Sequence, residues 1–163
     1  MWLLSQKLWK TLAGAVVVAL GAIQLIPVDR TNPPVQKEMP APPDVQAILR
    51  RSCYDCHSNE TVWLWYSKVA PISWLVSRDV RQGRRELNFS DWTASEKQLK
   101  RLAKTPKEIA KGKMPPWFYL AIHRDARLSP QDVETLNRFA ASSTAPAPKP
   151  AATPAAPPAP AAN

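Results

Sequence analysis

The chain has 163 residues and a formal charge of +9, from 22 Lys and Arg against 13 Asp and Glu, which is enough for one small domain with extensions. With 4 glycines against 18 prolines the composition argues against a turn-rich β-sandwich, and 2 cysteines cannot supply a disulfide framework. The positive balance favours acidic partners, anionic lipid or nucleic acid and leaves the fold open.

From Thr11 to Val28 no residue is charged, and Gln24 is the only strongly polar side chain. As a helix the run spans ~27 Å at ~1.5 Å per residue, close to the ~30 Å hydrocarbon core of a bilayer. Lys7 and Lys10 precede it, so the positive-inside rule places the N-terminus in the cytoplasm and everything after Val28 outside. Ala19-Leu20-Gly21 is a mediocre cleavage site. Residues 1–28 therefore read as an anchor in the cytoplasmic membrane, with a cleaved signal peptide as the rival. Pro27 to Pro43 is proline-rich and extended, so residues 29–43 form a connector that holds the next element off the bilayer or wraps it.

Asp44 to Ser52 reads as the first helix of the domain, with Val45, Ile48 and Leu49 on one face. It delivers the chain into Cys53-Tyr54-Asp55-Cys56-His57, the C-x-x-C-H spacing of covalent haem c attachment. On one helical turn, residues three and four apart share a face. Both thiols then reach the two vinyl groups of one porphyrin, and His57 follows as proximal iron ligand. A thioredoxin-like pair would need a βαβ context, a structural zinc would need more ligands than His123 adds, and a plain disulfide is the remaining alternative.

Trp63, Trp65 and Tyr66 come next. Pro71 opens a second helix through about Arg85, with Ile72, Leu75, Val76 and Val80 as its apolar stripe. Arg78, Arg81, Arg84 and Arg85 lie near one another on it, as a solvated face or a docking surface. Ser90, Asp91 or Thr93 can cap a third helix through about Ala103, carrying Leu99 and Leu102 inward. Thr105-Pro106-Lys107-Glu108 then reads as a capping box for a separate short helix ending at Gly112.

Met114-Pro115-Pro116 follows. The prolines are expected to fix an extended backbone and so aim one soft thioether, as a sixth haem ligand requires; a gap-filling core methionine is the bland alternative. Trp117 to Ile122 is an apolar cluster ending at His123, which is either a hydrogen-bonded structural residue or the alternative sixth ligand. Ser129 caps a last helix with Val133, Leu136 and Phe139 inside, which closes a domain of residues 44–143. Residues 144–163 are nearly all alanine and proline and read as a disordered, polyproline-like tail.

From about Ile26 to Phe139 the chain resembles a bacterial haem-binding domain family of mono-haem c-type cytochrome character. The residues that carry the resemblance are Ile26-Pro27 to Val35, Cys53 to Asn59, Trp63-Leu64-Trp65-Tyr66 and Ala70-Pro71-Ile72-Ser73-Trp74. Leu87-Asn88-Phe89-Ser90 with Trp92, Met114-Pro115-Pro116, Tyr119-Leu120 with His123, and Leu128-Ser129 complete it. Leu64 and Phe139 depart from it, standing where proline and tryptophan are usual. The resemblance implies a small helical haem domain exported across the membrane.

The expected fold is all-α: a small cytochrome c-like helical domain around one covalent haem, preceded by one transmembrane helix. Cys53, Cys56, His57 and Met114 are the expected cofactor-binding residues, with iron held by His57 and Met114. Trp63, Trp65, Trp74, Trp92 and Trp117 are expected to pack around the porphyrin. The expected function is single-electron transfer outside the cytoplasmic membrane to an acidic redox partner, with no nucleic acid and no catalysis. The rivals are a haem-based sensor or peroxidase-like enzyme with a displaceable sixth ligand, and a module in which haem only organises the fold.

Overall fold

A computed structural model describes residues 2–144, so the expectation for the Ala/Pro tail falls outside the described residues. Within them the chain is all-α. In order it runs α1 (Trp2–Ile23), α2 (Pro43–Ser52), α3 (Tyr54–His57), a 3-10 turn (Trp65–Lys68), α4 (Ile72–Glu86), α5 (Glu96–Ala110), α6 (Trp117–Ile122), a 3-10 turn (Arg124–Ala126) and α7 (Pro130–Thr144). No strand occurs among the described residues; an isolated parallel bridge pairs Lys37 with Asp91.

α1 is apolar from Gln6 to Ile23, long enough to cross a membrane, and none of that span is buried by the rest of the chain. The connector wraps the domain. Its backbone pairs with the 89–92 segment through Met39 N to Phe89 O at 2.8 Å and Trp92 N to Lys37 O at 2.9 Å. Met39 thereby enters the core, together with Val45, Ile48 and Leu49 of α2, Phe89, Trp92, Leu102 of α5, and Leu136 and Ala140 of α7. The proline-rich stretch has few intrinsic partners for its amides, and these inter-segment bonds supply them.

α2 starts with proline at its first position and Asp44 in its first turn, and ends with Arg50 and Arg51, an arrangement matched to the helix dipole. α7 opens on a reciprocal cap: Ser129 Oγ accepts from Asp132 N at 3.1 Å, and Asp132 Oδ2 accepts from Ser129 N at 2.9 Å. Asp132 also pairs with Arg51 at 2.7 Å, which ties α7 to the end of α2.

Two local expectations fail. The 96–110 region is one helix rather than two, capped by Ser95 and carrying Pro106 inside it. An interior proline costs ~3 kcal/mol of helix stability. Leu102 is buried, Leu99 and Ile109 pack beside it, and α5 lies against α7, so tertiary packing overrides the local stop signal. The helix does end where expected. Gly112 takes φ +66°, and the bonds Gly112 N to Ile109 O and Lys113 N to Glu108 O close a Schellman turn. The second failure is the inner face of α4. Its buried residues are Ser73, Ser77, Val80 and Gly83, while Ile72 and Leu75 are exposed.

Candidate functional site

α3 and α4 meet at very short range. A Cβ on Gly83 would lie 2.3 Å from the Cys56 carbonyl oxygen, closer than non-bonded atoms come, so only glycine permits this approach. The contact presses the cysteine turn onto α4. It is reinforced by Phe89 N donating to His57 O at 2.7 Å and by Arg84 Nε donating to Ser58 O at 2.7 Å. Arg84 also donates to Thr31 O, Asn32 Oδ1 and Thr61 Oγ1, and so locks connector, cysteine loop and α4 together. Of the arginine run, Arg84 thus turns inward; Arg78, Arg81 and Arg85 remain exposed.

His57 is oriented by its second nitrogen. Nδ1 lies 2.9 Å from the Leu87 carbonyl, and a carbonyl only accepts, so Nδ1 carries the proton. Burial lowers the imidazole pKa, opposed by the Leu87 and Gly83 carbonyls, and favours the neutral ring. Nε2 is then the lone-pair nitrogen available to a metal.

Cys53 and Cys56 are free thiols. Burial pushes both up to about 12, with Cys56 adding to the rise at Cys53 and Asp55 and Asp79 adding to it at Cys56. Both stay protonated near neutral pH, unlike the lowered thiol of a redox dithiol. Among the described residues no three His, Cys, Asp or Glu side chains gather in a metal-binding group, so the zinc alternative lacks its ligand set.

These side chains open on a cavity of about 830 Å³, within the ~300–1,000 Å³ range of cofactor sites. Cys53, Cys56, His57 and Met114 all line it. Leu87, Phe89, Leu128, Leu136 and Phe139 give it apolar walls, and its charged lining is balanced: Arg78 pairs with Asp79, Arg101 with Glu86 and Lys113 with Glu108, leaving Lys104 and Asp55. Its dimensions, the Nδ1-anchored imidazole and two neutral thiols on one side fit a haem.

The part of the lining formed by Met114 and α6 is looser. No residue of α6 is buried, Trp117 is 78% exposed and Met114 is 41% exposed. The chain bends at Met114 and Pro115 rather than running extended, and the Met114–Pro115 peptide bond is cis. Tyr119 crosses to the cysteine side, donating to Asp55 Oδ2 at 2.8 Å. His123 lies outside the cavity lining. Its Nε2 sits 2.6 Å from Tyr66 Oη, and its ring stacks on Tyr119 with centroids 4.1 Å apart.

Of the five tryptophans expected around a porphyrin, Trp117 alone lines the cavity. Trp92 is in the core, Trp63 donates to Asn32 Oδ1, and Trp65 is 75% exposed. Gly83 went unread, and Asp55, Leu87 and Tyr119 were read as carriers of the resemblance with no role at the site. A glycine inside an otherwise helical stretch was a usable signal for Gly83. Nothing local links Asp55 to a tyrosine 64 positions away.

A profile of the haem-binding domain family matches residues 18–142. Searches among curated proteins and among solved structures return no match. The matched region contains the cavity with all four of its candidate ligating residues and most of the chain besides. The chain belongs to the haem-binding domain family, and haem is its ligand.

Proposed function

We propose that this is a membrane-anchored mono-haem c-type cytochrome-like protein that passes single electrons on the outer side of the cytoplasmic membrane. The observation that carries the reading is the convergence of Cys53, Cys56, His57 and Met114 on one cavity of haem-compatible volume. Cys53 and Cys56 would hold the haem covalently, each thiol adding its S–H across a vinyl C=C to give a thioether with no net oxidation. His57, whose Nδ1 is held by Leu87, would offer Nε2 as one iron ligand, and the Met114 sulfur would be the second. A bound haem supplies the one-electron couple, and methionine ligation raises its potential.

The chain's own residues do the rest. The apolar walls exclude water, and the Gly83 contact keeps the thiols and the imidazole in register. The cavity lining carries four basic and four acidic side chains, so attraction of an acidic redox partner rests on the net charge of +9 of the whole chain. The apolar helix α1, with Lys7 and Lys10 toward its N-terminal end, supports an anchor with the domain outside.

The test is a pyridine haemochrome spectrum of the exported protein after acid–acetone extraction. We expect a c-type spectrum that stays with the polypeptide, reduced to a single-thioether form or lost in Cys53→Ala and Cys56→Ala. Complete extraction of haem from the unmutated protein would rule out covalent attachment.

A further inference from the structure

Gln24 is the one strongly polar side chain in the apolar N-terminal run; its Nε2 donates to Leu20 O within α1 at 3.0 Å, and the side chain also reaches the domain. Its Nε2 donates to the Ala70 carbonyl at 3.1 Å, and its Oε1 accepts from Ala70 N at 2.9 Å. The two bonds satisfy the backbone of Ala70 as a neighbouring strand would. They fasten the end of α1 onto the segment between the 3-10 turn at Trp65–Lys68 and α4. The connector then folds back over the domain instead of spacing it away.

Beside this fastening lies an apolar surface that neither the core nor the cavity uses. Trp65, Val69, Ile72 and Leu75 are exposed there, and Leu25 and Ile26 at the end of α1 are exposed as well. None of these six lines the cavity. α4 buries its serine face and turns Ile72 and Leu75 outward, the reverse of what an amphipathic helix does when water is its only other neighbour. Lys68 and Arg30, exposed nearby in sequence, supply charge for headgroup phosphates. Tryptophan beside lysine and arginine at the end of an apolar helix is the composition of a membrane–water interface.

We propose that the Trp65–Leu75 face lies in the lipid headgroup boundary, so that the domain rests on the bilayer rather than hanging from a tether. This rests on the reading of α1 as a membrane span. The occupant is lipid rather than protein because the face continues the exposed apolar surface of α1 and is held beside it by Gln24. One consequence is that the domain is oriented against the membrane plane, which restricts the directions from which a partner reaches the cavity.

The test uses the full haem-loaded chain in vesicles of phosphatidylethanolamine and phosphatidylglycerol that contain a phospholipid with a diazirine near the glycerol end of its acyl chain. After irradiation, peptide mass spectrometry maps the adducts. The expected result is adducts on α1 and on the 65–75 segment. The latter should fall several-fold in Trp65→Ser/Ile72→Ser, while those on α1 persist. Adducts confined to α1 overturn the resting face and leave the anchor standing. Adducts on neither overturn both.

Discussion

The two walls of the cavity are built by different means. On the cysteine side every group is held by the chain itself: Gly83 against Cys56, Leu87 O on His57 Nδ1, Phe89 N on His57 O, and Arg84 on Ser58 O. On the methionine side α6 buries nothing, and one Tyr119–Asp55 hydrogen bond reaches across from Tyr119 to α3. Under the proposed covalent attachment the cysteine side would have to be in place before haem arrives, because both vinyl groups would have to meet fixed thiols. Under the same proposal the methionine side would need to offer only a sulfur, and could close on a cofactor that supplies the missing apolar bulk.

Breaking the rigid wall should have the largest effect. Gly83→Ala places a methyl group where the Cys56 carbonyl stands. Overpacking of this kind costs ~1–3 kcal/mol or more, against ~1 kcal/mol gained in helix propensity. We expect a lowered Tm and a sharp loss of covalently attached haem, measured by thermal unfolding and by haem-stained gels. A variant that matures normally would show that the close contact does not govern attachment.

The loose wall should respond in spectrum and not in stability. Met114 is half out of the protein, so Met114→Ala should keep the fold while giving high-spin ferric haem, a lower potential and new binding of carbon monoxide or cyanide. His123→Ala removes the Tyr66 hydrogen bond and the Tyr119 stack, for a loss of ~1–2 kcal/mol with the low-spin spectrum retained. The opposite pattern, low-spin in Met114→Ala and high-spin in His123→Ala, would make His123 the ligand.

The smallest effect lies away from both walls and serves as their baseline. Asp132 is held below its usual carboxylate range, first by the Ser129 amide, then by the Ser129 hydroxyl and Arg51, against the opposing effect of burial. A depressed carboxylate stabilises the fold above its unfolded pKa near 3.8 and loses that contribution as pH falls through the lower folded value. Asp132→Asn should cost ~1 kcal/mol at neutral pH, as lost caps do, and should flatten the decline of stability in acid below about pH 4. Denaturant titrations at several pH values check this, and haem attachment should be unchanged.

The cysteine–histidine motif, the all-helical pattern, the apolar N-terminal helix, the Gly112 stop and the Ser129 cap were legible in the sequence because each depends on residues within a turn or two of one another. The union of the 96–110 stretch into one helix was not, because packing of Leu102 against α7 outweighs a local proline. The outward turn of Ile72 and Leu75 was hidden for a related reason. Periodicity identifies a stripe, but the partner decides which stripe is buried, and α4 met the cysteine turn through Gly83 and its serines. The Leu87 carbonyl on His57, the Tyr119 hydroxyl on Asp55 and the Gln24 amide on Ala70 join residues 30, 64 and 46 positions apart. Short-range chemistry is written in neighbouring letters. Contacts across such separations exist only once the backbone has folded and brought the distant partners within reach.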